Sequence, residues 1–271
     1  MAIVNLTPDS FYALSRHASY EAVKESVVRA VNEGATIVDL GGYSSRPGAD
    51  EVSVDEEWRR VEMGLQAVRD AEVEVVVSID TFRSEIVRRA YEAFGAFIVN
   101  DISAGEADAA MIYTVAELGL PYVAMHMRGT PETMQSLTDY VSGVVKGVVD
   151  YFRERVKVLE EAGIAKENII LDPGFGFAKT VEQNHELLAG LDELRALGYP
   201  LLIGLSRKSM IYRPLGITPQ EALPGSLALA WESLRGGEAI VRVHDVAATH
   251  QVVALANYYK RVGYDKDRGR C

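Results

Sequence analysis

Residues 74–100 read EVVVSIDTFRSEIVRRAYEAFGAFIVN, and the change of apolar spacing along them decides the fold. Residues 74–79 form a short, nearly unbroken apolar run, as expected for a strand covered on both faces. Asp80 follows at once. The period then lengthens, because Ile86, Ala90 and Phe94 recur at helical spacing. A second apolar run at 97–99 ends on Asn100. The stretch reads as strand, helix, strand, with a polar residue after each strand.

The same unit recurs along the chain. Further strands are expected at 1–6, 36–40, 122–125, 169–171, 201–204 and 239–241. Helical stripes lie between them: Val23, Val27, Ala30 and Val31; Trp58, Val61, Leu65 and Val68; Ala110, Met111, Val115 and Leu118. A longer stripe begins at Leu137 and runs through Val141, Val144, Val148, Phe152, Val156 and Leu159. Capping boxes are expected where Ser53 precedes Glu56, Thr180 precedes Gln183, and Thr218 precedes Glu221. A last helix carries Val252, Val253, Ala256 and Tyr259.

Eight strand–helix repeats in 271 residues predict an α/β fold, the (β/α)8 TIM barrel, for which about 250 residues is usual. An open doubly wound sheet would show the same alternation. No Pro-, Gly- or Ser-rich linker divides the chain, so one catalytic domain over 1–264 and a polar tail at 265–271 are expected.

Composition narrows the function. Lys and Arg number 28 against 39 Asp and Glu, a formal charge of −11, which argues against nucleic-acid or anionic-membrane partners. The single cysteine, Cys271, cannot form an intrachain disulfide. Met1 runs straight into Ala2-Ile3-Val4 with no secretory pattern, so a cytoplasmic location is expected.

Polar residues collect where strands end: Asn5, Asp39, Asp80, Asn100, His126, Asp172, Ser206-Arg207-Lys208 and Arg242-x-His244. In a barrel these positions surround one mouth. Singly, each fits an ordinary structural role. Asp39 or Asp80 would cap a loop, His126 would sit satisfied near the core, and Arg242 would make an ion pair. Together they suit a mixed ligand. Asp80, Asn100 and Asp172 offer acceptors and a donor to a flat heterocycle. Ser206, Arg207, Lys208, Arg242 and His244 suit an anion. Asn5 offers a neutral oxygen to Mg²⁺, with phosphate oxygens and water completing the shell.

There is no H-E-x-x-H, G-x-S-x-G, phosphate-loop or dinucleotide fingerprint, so zinc hydrolysis and serine acyl transfer are poor choices. The stretches Gly41-Gly42-Tyr43-Ser44-Ser45-Arg46-Pro47-Gly48 and Asp172-Pro173-Gly174-Phe175-Gly176-Phe177 read as tight turns. If functional, they would carry Arg46 and Phe177 over the pocket.

These motifs carry a resemblance to the dihydropteroate synthase family of pterin-binding barrels. It rests on Asn5-Leu6-Thr7-Pro8-Asp9-Ser10-Phe11, residues 39–48, Ile79-Asp80-Thr81, Asn100-Asp101, residues 172–177, Ser206-Arg207-Lys208-Ser209 and Arg242-Val243-His244-Asp245, in order from Asn5 to about Val262. The resemblance implies condensation of 6-hydroxymethyl-7,8-dihydropterin diphosphate with 4-aminobenzoate, giving 7,8-dihydropteroate and diphosphate. It implies that Asp80, Asn100, Asp172 and Lys208 contact the pterin, and that Asn5, Arg242 and His244 form the diphosphate and Mg²⁺ site. Ser45, Arg46, Pro47, Phe177 and Ser206 would line the aminobenzoate pocket. Loops carrying Asp9 and Arg46 would close over the site, beside the Asp39 strand end. It further implies a homodimer and sulfonamide binding.

The segment Tyr12-Ala13-Leu14-Ser15-Arg16-His17 departs from the family's more acidic, glycine-rich first loop. Two other readings stay open on the residues: a methyltetrahydrofolate methyltransferase, and a pterin-binding regulatory protein without turnover.

Overall fold

The computed structural model describes residues 1–6, 20–43 and 52–268, the side chains of 263–268 apart. Eight strands form at the expected places: β1 (Ala2–Asn5), β2 (Ile37–Gly41), β3 (Val76–Asp80), β4 (Ile98–Asp101), β5 (Tyr122–Met125), β6 (Ile169–Asp172), β7 (Leu202–Ile203) and β8 (Ile240–Val241). β1 to β6 pair in sequence order, all parallel, and β7 pairs with β8. Two short joints complete the ring. Leu171 bridges Leu201, and the Leu171 N–H donates to Pro200 O at 2.9 Å. Ala2 bridges Val243, and the Ile3 N–H donates to Val243 O at 3.0 Å. The strand order returns to its start, so the fold is a (β/α)8 barrel and not an open sheet.

The helices are α1 (Tyr20–Asn32), α2 (Val54–Asp70), α3 (Ser84–Phe94), α4 (Met111–Leu118), α5 (Val144–Glu161), α6 (Val181–Ala189), α7 (Leu191–Arg195), α8 (Ser209–Leu215), α9 (Leu223–Arg235) and α10 (Val246–Arg268). α10 thus continues into the segment 265–271. The outward strand residues Val38, Leu40, Ile79, Val99, Ala124 and Leu171 share one core with Val27, Val61, Ile86, Met111, Val148 and Phe152 of the helices. Each of these side chains larger than alanine contributes about 1.5–3 kcal/mol on burial.

Three local expectations change. The fifth helix starts at Val144, not near Leu137, because Gly143 takes φ 83° and breaks the chain direction there. Leu137 ends a 3-10 turn, and Val141 is 97% exposed. The Thr218–Glu221 box caps a 3-10 turn over Pro219–Glu221, ahead of α9. At α2 only half the box forms: Ser53 accepts from the Glu56 N–H, while the Glu56 carboxylate pairs with Arg59 and Arg60.

Inside the ring, Ile98, Val123, Ile170 and Leu202, with Met1, Ile37 and Ile240 against them, make a separate apolar cluster. Alternate residues of a strand share a face. Two residues further along each strand, facing the same way, come Asp39, Asn100, Met125, Asp172, Gly204 and Arg242. An apolar floor therefore lies beneath a largely polar storey, which opens at the carboxyl ends of the strands.

Candidate active site

Asp39, fully buried on β2, accepts three hydrogen bonds: from Ser78 Oγ at 2.5 Å, Asn100 Nδ2 at 3.1 Å and Arg242 Nε at 2.6 Å. Arg242 reaches on with Nη2 to Asp80 Oδ2 at 2.9 Å. Its guanidinium lies across the ends of β2 and β3. Burial alone would lower the Arg242 pKa, but Asp39 and Asp80 outweigh it and hold the group firmly charged. Burial pushes the Asp80 carboxyl up to about 7, against the pull of Arg242 and with the help of Asp39.

The loop after β6 builds the facing wall. Asp172 accepts the Gly174 N–H at 2.8 Å, and its carboxyl is raised by burial against the opposing charge of Lys208. Gly174 has φ +69°, and a Cβ there would stand 2.0 Å from His126 O, so the turn admits only glycine. Lys208 Nζ donates to the Phe175 carbonyl and lies 5.1 Å from the centre of the Phe177 ring. Burial brings its pKa down to about 8, partly offset by Asp172.

The third wall comes from the loops after β7 and β8. Ser206 Oγ receives the His244 backbone N–H at 3.3 Å and lies 3.0 Å from His244 Nδ1. Ser206 thus ties the His244 backbone and ring together, fixing where the imidazole stands. Burial, with Arg242 nearby, lowers the His244 pKa to about 4, so at neutral pH its imidazole is uncharged. Arg207 turns elsewhere. It makes a two-pronged ion pair with Asp245, both bonds 2.8 Å, and donates to the Pro219 and Gln220 carbonyls. The anion-binding expectation for Arg207 is corrected on this ground: its fork is spent joining the β7 and β8 loops.

The mouth thus offers two carboxyls with raised pKa, an amide, a fixed guanidinium and a buried ammonium. That donor and acceptor set suits a flat heterocycle with adjacent N–H groups, bearing an anionic substituent.

Residues 1–244 match the family model described as pterin binding enzyme. The chain is 46% identical to the dihydropteroate synthase of Escherichia coli strain K12, over 94% of this chain and 89% of that one. The structure of Yersinia pestis dihydropteroate synthase with a sulfonamide drug complex superposes with a TM-score of 0.91 at 36% identity, covering 96% of this chain and 93% of that one. The Xanthomonas albilineans dihydropteroate synthase with 4-aminobenzoic acid superposes at 0.84 with 39% identity, covering 97% and 92%. The chain belongs to the dihydropteroate synthase family.

Of the positions that family membership makes candidates, Asp39, Asp80, Asn100, Asp172, Lys208, Arg242, Ser206 and His244 converge on one barrel mouth, with Phe177 at its edge. Asp9, Ser45, Arg46 and Pro47 lie outside the described residues. Asn5, at the end of β1, pairs in register with Gly41. His126 takes its ordinary structural role: it is buried, packed edge-on to Tyr151, and its pKa is driven well below normal by burial and by Lys179.

Two residues escaped the sequence reading. Ser78 anchors Asp39 from inside β3, and a serine between Val77 and Ile79 was the available signal. Lys179 is buried behind the Asp172 loop, and nothing in its neighbourhood marked it.

Proposed function

We propose that this chain condenses 6-hydroxymethyl-7,8-dihydropterin diphosphate with 4-aminobenzoate, releasing 7,8-dihydropteroate and diphosphate. The observation that carries the reading is the polar mouth itself: Asn100, Asp172 and Arg242 stand one storey above an apolar floor, and Asp80, in register with Asn100, joins them through Arg242, inside a chain of this family. Asp80 and Asp172 receive the ring N–H groups of the pterin, and Asn100 bonds a ring acceptor. Ring donors supply what burial withholds, so binding draws the two carboxyls toward their ionised form.

The C–O bond to diphosphate breaks first, its electron pair leaving with the diphosphate. The positive charge delocalised into the pterin faces Asp80 and Asp172. Arg242 and the His244 imidazole face the departing anion. The aryl amine lone pair then closes the C–N bond, and the ammonium so formed gives its proton to the departing diphosphate or to water. The amine substrate lies against Phe177 and Ser206, with Ser45, Arg46 and Pro47 as partners. Sulfonamides occupy the same place.

Magnesium fits as a cation carried by the diphosphate. Asn5 Oδ1 and Asp80 Oδ2 lie 3.6 and 3.9 Å from where a Gly41 Cβ would stand, and the neutral Asn5 oxygen would be the chain's own ligand. Among the described residues no cluster of three His, Cys, Asp or Glu could hold a metal alone. A hard ion of this kind would take its remaining oxygens from phosphate and water, and would neutralise diphosphate charge.

The catalytic unit spans 1–264, works in the cytoplasm and pairs as a homodimer. Among the described residues no helix is long and apolar enough to cross a membrane. Exposed Leu255, Tyr258 and Tyr259 on α10 support a second copy of the chain as its neighbour. Diphosphate release tests the reaction. It is expected only when both substrates are present; methyl transfer without diphosphate, or pterin binding without turnover, would reverse the reading.

A further inference from the structure

Lys179 is almost completely buried, yet the chemistry above makes no use of it. Its ammonium has three acceptors: His126 Nδ1 at 2.9 Å, Gly174 O at 3.0 Å and Phe177 O at 2.9 Å. Three donors meet three acceptors, so the group is saturated and aims nothing into the mouth. The segment it grips is intrinsically poorly determined. Gly174, Gly176 and Ala178 all take positive φ, at 69°, 83° and 50°. Alternation of this kind belongs to no helix or strand, and left-handed backbone at Ala178 costs about 1–2 kcal/mol.

Side chains fix the turn from outside. Asn184 accepts the Gly176 N–H at 2.7 Å, and Tyr140 donates to Ala178 O at 3.1 Å. Lys179 alone among the described residues ties both ends of the Gly174–Phe177 turn to the end of β5. The turn's middle carbonyl, Phe175 O, holds Lys208.

We propose that Lys179 is a positioning residue, pinning the β6 loop to His126 so that the Phe177 ring and the Lys208 ammonium keep their places in the site. The role rests on the proposed reaction. It also survives loss of the Lys179 proton: a neutral amine keeps two N–H bonds to the carbonyls and accepts the Nδ1–H of the other His126 tautomer.

Loss of the pin displaces Phe177 most, since its own carbonyl is released. The test compares the two Michaelis constants in Lys179→Met. The KM for 4-aminobenzoate is expected to rise about tenfold or more, as for a displacement near 1 Å, with a much smaller rise for the pterin diphosphate. A purely structural role would lower the melting temperature and leave the ratio of the two constants unchanged. If Lys179→Met does not fold, His126→Leu removes one acceptor and carries the same comparison with a smaller split, which His126→Asn should narrow by restoring an oxygen acceptor. Equal changes in both constants, or none, in a folded and active variant overturn the role. Absence of product from the wild type overturns the reaction assignment and this role with it.

Discussion

Arg242 has two tasks at once. It neutralises Asp39, which has no exposed surface, and it holds the positive edge of the site. Arg242→Gln is therefore expected to lower kcat/KM by a factor on the order of 10² or more, as when a group facing developing charge is lost. It should also destabilise the fold by about 3–5 kcal/mol, because Asp39 is left buried without its partner. Urea unfolding and steady-state rates on the same preparation check both. The site should also show a bell-shaped pH profile in kcat/KM. Asp80, at about 7, must be ionised, so activity rises with pH through that value; Lys208, at about 8, must be charged, so activity falls above it. Asp80→Asn should leave only the acid limb set by Asp172, whose carboxyl is also raised by burial, and Lys208→Arg should move the alkaline limb upward. Strand-end residues such as Asp80, Asn100 and Asp172 were legible because each directly follows an apolar run. Their partnerships were not. That Arg242 bonds Asp39 across 203 positions depends on ring closure, which no local spacing encodes.

Among the elements, the loop after β6 is the most demanding. Gly174→Ala would set a methyl group 2.0 Å from His126 O in a left-handed backbone. Its expected result is a folded barrel with lowered thermal stability and impaired binding of both substrates, since Asp172 and the Phe175 carbonyl move together. Differential scanning calorimetry and substrate titration check this, and unchanged binding would show that the turn has slack. The strands were easy to place because a short, nearly unbroken apolar run between helical stripes fits little but a strand covered on both faces. The start of α5 was not, because Leu137 and Val141 continue the helical spacing that Val144 begins. Periodicity registers side chains, whereas Gly143 acts through the backbone, and tertiary contacts of the Arg128 guanidinium with Leu137 O and Asp139 O settle the preceding loop.

For the whole molecule, parallel pairing around a closed ring is what brings residues as distant as Asp39 and Arg242 to one mouth. The same geometry leaves Leu255, Tyr258 and Tyr259 outward on α10, with Trp231 of α9 packed against Tyr259. Sedimentation should give twice the 29.7 kDa chain mass, and Leu255→Asp with Tyr258→Asp should shift it to one; a single-chain mass for the wild type would refute the pairing. The central claim is that the polar storey condenses a pterin diphosphate with 4-aminobenzoate. Its most direct test is the steady-state rate of dihydropteroate formation by the wild type, with each substrate and Mg²⁺ omitted in turn, beside Asp80→Asn. Product is expected only with both substrates, with dependence on Mg²⁺ and a rate lowered by orders of magnitude in the variant. Folded wild-type protein that forms no dihydropteroate, or an Asp80→Asn enzyme that forms it at the wild-type rate, would contradict that claim.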